Sequence, residues 1–291
     1  MKLKSIGIGL LMGCMAMAFV GCGNSESSSS GTDSIKGTIT ASGSSALLPL
    51  AKDAAVSFKE RHPDIAISLN GGGSGTGLKQ VSEGSVKIGN SDVAAETKLG
   101  IEKAKELKDH RVAVVTVAPI VNKEIGDVVK SLTKQQLIDI FTGRLTNWKA
   151  VGGPDLQITL VSRPSTSGTR ALFEEFGLNK NKEASNKALE TDDSGTLIQN
   201  IADNKGAIGY VAFPYVMRTD KVVAVAVDGI IPSLENTYAG VYPIWGYEHM
   251  YTKGEPDAAV KAFIDYIMSD EYGDKLEKQG YGVTSKMKVT R

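Results

Sequence analysis

Four short segments hold the residues best placed to do chemistry: "SGSSALL" (42–48), "GGGSGTGLK" (71–79), "NSDVAAE" (90–96) and "RPSTSGTR" (163–170). Each joins small residues to hydroxyls, each follows a strand-like run, and three lead clearly into a helix. The start of a helix leaves backbone N–H groups unpaired and carries partial positive charge, so it suits an anion. Glycine lets an oxyanion approach the backbone, and Ser and Thr add side-chain donors. In the last segment Arg163 stands four residues before Ser167, and a guanidinium can give paired hydrogen bonds to an oxyanion. The chemistry these residues share is oxyanion binding. A further segment, "TDDSGTLIQ" (191–199), repeats Ser-Gly-Thr but has an acidic approach and no neighbouring cation in the sequence. It reads as an ordinary helix cap.

Other chemistries fit poorly. The P-loop needs Gly-Lys-Ser/Thr, whereas Leu78 separates Gly77 from Lys79. The dinucleotide pattern G-x-G-x-x-G fails in every frame, and no G-x-S-x-G occurs. His62, His110 and His249 are scattered near predicted element ends, so neither a metal cluster nor a catalytic histidine is expected, and no cofactor. Trp148 and Trp245 read as packing or hinge residues. The formal net charge is zero. Without a basic excess or a basic run, nucleic acid is not an expected partner.

These segments need elements to hold them. Strands are expected at "GTITASG", "DIAISLNGG", "VKIGNSD", "RVAVVTVAPIVNK", "LQITLVS" and "GAIGYVAF". Helices are expected at "LLPLAKDAAVSFKERH", "TGLKQVSEG", "GIEKAKELKDH", "TKQQLIDIFTG", from Ser167, at "GTLIQNIAD" and at "PDAAVKAFIDYIMSD". Such alternation predicts an α/β protein with mostly parallel sheets and a ligand at the carboxyl ends of strands. The apolar segments near 111–121 and 241–251 are candidate crossings between two lobes.

The N-terminus reads differently. Lys2 and Lys4 precede the apolar "IGIGLLMGCMAMAFV" and then "GC", a secretory signal too short to serve as a stable transmembrane anchor. The "FVGC" ending resembles the lipobox of bacterial lipoproteins, which implies a cut before Cys22 and lipid on that cysteine. Residues 1–21 are then the signal peptide, and 22–34, rich in Ser and Gly, a flexible tether. Both cysteines lie at or before residue 22, so no internal disulfide is expected.

Taken in order and with these gaps, the four segments resemble the phosphate-binding proteins of bacterial Pst-type ABC transporters. The resemblance runs from about Thr38 to the C-terminus and includes "FTGRLTNW" and "GAIGYV". It implies a two-lobed type II periplasmic-binding fold, each lobe a mostly parallel sheet flanked by helices, with the ligand in the cleft. Residues 35–117 and 241–291 would form lobe 1 and 118–240 lobe 2. By the match, inorganic phosphate meets Ser45 and the backbone of Ala46, then Ser74, then Asp92, while Arg163, Ser167, Gly168 and Thr169 come from the other lobe. Ser44 and Ser91 are included as neighbours. The implied partners are the permease subunits of the transporter, and the membrane through the lipid; the implied place is the outer face of the cell membrane, as a monomer without enzymatic activity. Two departures stand out. Ala46 occupies a position where relatives often have an aromatic residue or Thr. Pro164, Ser165 and Thr166 stand where many carry an acidic residue able to orient the arginine.

An aspartate among donors is costly beside an anion. It becomes useful if the ligand has a proton to give. Monohydrogen phosphate has an O–H that Asp92 can accept, and sulfate at neutral pH has none. A site built around a ligand hydroxyl can reject an analogue lacking it by roughly 10⁴–10⁵. Taken alone, Asp92 could instead be a helix cap or an ion-pair partner for Arg163. Two other functions stand beside phosphate capture at this point: a binder of another oxyanion such as sulfate or molybdate, and a phosphate-ester hydrolase using a serine.

Overall fold

The computed structural model describes residues 35–184 and 189–291. The expected signal peptide, Cys22 and tether lie outside the described residues. In chain order the elements are β1 (Gly37–Gly43), α1 (Leu48–Arg61), β2 (Ile65–Gly72), α2 (Ser74–Ser82), β3 (Ile88–Ser91), α3 (Glu96–Leu99), α4 (Ile101–Ala104), β4 (Leu107–Asn122), α5 (Lys123–Val128), β5 (Ser131–Leu132) and α6 (Lys134–Phe141). They continue with β6 (Thr159–Ser162), α7 (Gly168–Leu172), β7 (Leu189–Glu190), α8 (Ser194–Asp203), β8 (Ala207–Ala212), α9 (Phe213–Val216), β9 (Val222–Ala224), β10 (Ala226–Val227), α10 (Leu234–Tyr238), β11 (Trp245–Lys253), α11 (Ala258–Ile267) and α12 (Asp270–Lys278).

The main sheet runs β2-β1-β3-β11-β4-β8-β6-β7, with β9 added against β4. β1 is parallel to β2 and β3, and β6 is parallel to β7 and β8. Helical crossovers return the chain in the same sense, which is what parallel pairing requires. The antiparallel ladders all involve β4 or β11. The mostly parallel pattern therefore holds within each set of βα units and gives way where the chain crosses from one to the other.

β4 explains the crossing. Its residues Leu107 to Thr116 pair with β11, and Val117 to Asn122 pair with β8 and β9. From Val112 onward every residue of this 16-residue strand is buried, so its near-continuous apolar run is that of a strand covered on both faces. Its polar members are matched: Thr116 hydrogen-bonds Thr237 at 2.7 Å, and the Asn122 amide donates to the carbonyls of Ile201 and Ala202.

Each half has its own core. α1 turns Leu50, Ala51, Ala54, Ala55 and Phe58 inward to meet the buried face of α11. Phe58 and Phe263 meet edge to face at 5.3 Å, a geometry worth about 0.5–1.5 kcal/mol beyond burial. On the other side Phe173 stacks on Tyr210 at 4.1 Å and Phe141 meets Phe173 at 4.7 Å. Trp148 is fully buried, with its indole N–H on the Gly206 carbonyl at 2.9 Å, and Trp245 is buried at the start of β11. Both are packing residues, as expected.

Three elements differ from the sequence reading. Of the helix expected over 100–110, only the short α4 (Ile101–Ala104) forms, set off from α3 by a break at Gly100 with φ 76° and followed by the start of β4 at Leu107. Leu107 to His110 pair with Lys253 to Met250 of β11, and that long-range ladder overrides local helical preference. The helix after Ser167 changes to a π-helical turn at Phe173–Gly177, closed by Leu178 N–H on the Phe173 carbonyl at 3.0 Å. His249 lies inside β11 rather than near an element end, and pairs with Asp109 at 2.7 Å.

Candidate functional site

β1, β2 and β3 deliver three segments to one edge of the first half. After β1, Ser44 Oγ accepts from Leu47 N–H at 3.0 Å and so shapes the entry to α1, while Ser44 N–H donates to the Asn90 carbonyl at 2.9 Å. Ser45 and Ala46 follow, both buried. After β2 the chain passes Gly73, at φ 82°, straight into α2 at Ser74, a left-handed conformation that favours glycine. After β3, Ser91 Oγ donates to the Val93 carbonyl at 2.6 Å, and this local turn presents Asp92.

From the other half, β6 ends at Ser162 and Arg163 follows. Ser167 caps α7, its Oγ accepting from Arg170 N–H at 3.1 Å. The first-turn N–H groups of Gly168 and Thr169 are those that a helix leaves unpaired. At Gly168 the halves press close together. A Cβ built there would lie 2.1 Å from Ser74 Oγ and 3.0 Å from Asp92 Cβ.

The structure brings all ten candidates together, and each is buried. Asp92 accepts from Thr169 Oγ1 at 2.5 Å and from Ser74 Oγ at 3.3 Å, one hydroxyl from each half. Ser74 Oγ also accepts from Asp92 N–H at 3.0 Å. Asp92 is neither a helix cap nor an ion-pair partner of Arg163 among the described residues. Ser44, Ser91 and Ser167 are also here, but their side chains already serve local backbone groups.

Arg163 is 1% exposed. Its Nη2 donates to Ser45 Oγ at 2.8 Å and to the Asp192 carbonyl at 2.5 Å, and its Nη1 to Ser194 Oγ at 3.3 Å. Its Nε is buried without a partner. Among the described residues no carboxylate pairs with the guanidinium. Two hydroxyls and a carbonyl orient the group without cancelling its charge. Behind it, Arg170 Nη1 donates to the Arg163 carbonyl at 2.5 Å and Arg170 Nε to Glu174 at 3.0 Å. Glu183 accepts from Ser162 and from Tyr210 at 2.5 Å. Burial pushes the Glu183 carboxyl upward, opposed by those two hydroxyls and by Arg170.

Sequence reasoning missed two residues. Ser194 belongs to the segment read only as a cap. The cap exists but is Asp193, whose carboxylate accepts from Thr196 N–H at 2.7 Å. Ser194, the next residue, points inward to Ser45 Oγ at 3.1 Å and to Arg163. The repeated Ser-Gly-Thr was a usable signal. The absence of a nearby cation in the sequence concealed a cation near it in space. Lys98 carried no local signal at all. From α3 its ammonium crosses to the carbonyls of Ser165 and Ser167, at 2.7 and 3.1 Å. Burial lowers its pKa while the Asp92 charge opposes that shift. Gly75 N–H makes a parallel crossing contact to the Thr166 carbonyl at 2.9 Å.

This arrangement gathers a guanidinium, hydroxyls, helix-start N–H groups and one carboxylate acceptor in one buried cluster. It can bind an oxyanion and read a proton on it. Among the described residues no group of His, Cys, Asp and Glu side chains is placed to hold a metal ion.

Comparison with known proteins gives consistent findings. Residues 28–271 match the PBP superfamily domain. The chain is 48% identical over 299 residues to the phosphate-binding protein PstS of Bacillus subtilis (strain 168), covering 100% of this chain and 98% of that one. A solved Clostridium perfringens protein, assigned as the substrate-binding component of a phosphate ABC transporter and holding bound phosphate, superposes with a TM-score of 0.76 at 33% identity. The match covers 87% of this chain and 100% of that chain. An ABC-type phosphate transport receptor of Vibrio cholerae superposes with a TM-score of 0.66 at 26% identity, covering 84% and 99%.

Proposed function

This chain belongs to the PstS family of phosphate-binding proteins in the PBP superfamily, and on that footing we propose that it captures inorganic phosphate and passes it to a phosphate ABC transporter. The fold is the two-lobed type II fold of that superfamily. The observation that carries the reading is a buried Arg163, paired with no carboxylate among the described residues, in the same cluster of turns as an Asp92 held by hydroxyls from both sides. Charge for the anion comes from Arg163. Ser45, Ser74, Thr169 and the N–H groups of Ala46, Gly168 and Thr169 supply donors, Gly168 supplies close approach, and Asp92 accepts the ligand's proton. Ser44, Ser91 and Ser167 shape the three turns that present these groups.

We assign 35–117 and 241–291 to one lobe and 118–240 to the other, with β4 and the segment before β11 as the crossings. Closure about those crossings would bring Lys98 and Gly75 onto the loop at 165–167. The relatives are transport proteins, and we infer that this chain, likewise, has no catalytic role. A serine nucleophile needs a base. Among the described residues no histidine hydrogen-bonds a serine of the site, and His249 meets Asp109 and Tyr251 instead.

Calorimetric titration of the protein without residues 1–21 tests the ligand. Phosphate should bind and sulfate should bind far more weakly. Equal affinity for the two anions would overturn the assignment to phosphate.

The place of action rests on the "FVGC" boundary. We propose that residues 1–21 are removed, that Cys22 carries lipid, and that 22–34 tether a monomer to the outer face of the membrane. Cys22→Ala should then release the protein to the medium or leave the precursor uncut. Unchanged processing and membrane retention in that variant would exclude the anchor.

A further inference from the structure

β11 lies antiparallel to β3 in the register Tyr251↔Gly89, Met250↔Asn90 and His249↔Ser91. The next step along this ladder puts Glu248 opposite Asp92. On its other side the β11–β4 register shifts between Glu248 and His249. Such a bulge re-aims a side chain. Glu248 is 0% exposed and Asp92 2%.

Neither oxygen of Glu248 has a hydrogen-bond donor among the described residues. The polar group it faces is the Asp92 carboxylate. Two ionised carboxylates only accept, so this contact is repulsive unless one of them carries a proton, when it becomes a hydrogen bond. The two are not equivalent. Asp92 already accepts from Ser74 and Thr169, which favours its charged form. Glu248 receives nothing of this kind and forms no ion pair among the described residues. The other titratable group set against it is Tyr281, whose hydroxyl is spent on the Ala46 carbonyl at 2.5 Å. Burial, and then the charge of Asp92, push the Glu248 carboxyl well above the usual range.

We propose that Glu248 is the protonated member of a carboxyl pair with Asp92, a positioning residue whose O–H donates to Asp92, holds the pair at one negative charge and fixes which Asp92 oxygen faces the ligand. Selectivity for a protonated oxyanion then depends on two carboxyls, one that reads the ligand and one that aims the reader. The pairing stands on the geometry of β3 and β11, while its effect on selectivity rests on the phosphate reading above.

Infrared difference spectroscopy on the ligand-free protein at neutral pH tests the pair. Wild type should show the carbonyl stretch of a neutral buried carboxylic acid, and Glu248→Gln should lack it. Titration with phosphate and sulfate tests the effect. Glu248→Met, similar in size but without a donor, should weaken phosphate about tenfold, the loss of about 1.4 kcal/mol, and narrow the phosphate-to-sulfate ratio. Glu248→Gln keeps an N–H donor toward Asp92 and should recover most of that loss. Absence of the acid band in wild type overturns the pairing, whatever the protein binds. Equal weakening by Gln and Met, with the band present, overturns the positioning role. If the Met variant does not fold, the band together with Gln weakening phosphate tenfold or more has the same meaning. A wild type that shows the band but binds no phosphate fails the functional reading and leaves the pair intact.

Discussion

Arg163→Ala should weaken phosphate binding at least about tenfold, since charge-assisted hydrogen bonds are each worth about 1.5–3 kcal/mol and 1.4 kcal/mol is tenfold. The guanidinium is buried, points its Nη atoms at Ser45, Ser194 and the Asp192 carbonyl, and leaves Nε unpartnered. Truncation removes the site's fixed positive charge and strands those buried polar partners, each at a cost of about 1–3 kcal/mol. Thermal stability of the ligand-free protein should therefore fall as well. Arg163→Lys retains the charge but not the planar fork, so it should bind between wild type and the alanine variant. The measurement is calorimetric titration beside a melting curve. Phosphate affinity within about threefold of wild type in Arg163→Ala would show that the anion does not use this cation.

Asp92→Asn should change selectivity more than total anion binding. The carboxylate is held by Thr169 and Ser74 rather than by Arg163, so it does not serve to neutralise the arginine. An amide there removes the repulsive charge and presents a donor. Phosphate, deprived of the acceptor for its proton, should bind less tightly, and sulfate should gain relative to it. Wild type should also lose affinity when pH rises far enough to strip the ligand's last proton, and Asp92→Asn should lose less. Both anions are to be titrated against both proteins across pH. The same phosphate-to-sulfate ratio in the two would reduce Asp92 to a structural member of the turn after β3.

Local sequence determined most of the parts. "GTITASG" became β1, and the apolar spacing of Leu50, Ala51, Ala54 and Phe58 set the buried face of α1. All four hydroxyl-rich segments sit at strand ends because glycine, serine and threonine there terminate strands and open helices by backbone chemistry alone. Arg163 was legible as a site residue because a hydroxyl-rich helix start, capped by Ser167, lies only four positions away in the chain. These are short-range effects, carried by residues near one another in the chain.

What tertiary structure decided involves partners far apart in the chain. Leu107 to His110 look helical in isolation, yet pair with a strand some 140 residues later, and the ladder wins. Ser194 looked like a cap until folding set it against Arg163 and Ser45, 31 and 149 residues away. Lys98 reaches the 165–167 loop only because the two halves are apposed. Glu248 sits in a strand with no acidic neighbour to suggest a pair, and meets Asp92 only through the register of β11 on β3. Charge and hydrogen-bonding capacity are properties of a residue, whereas burial and the neighbour that answers a buried charge are properties of the packed chain.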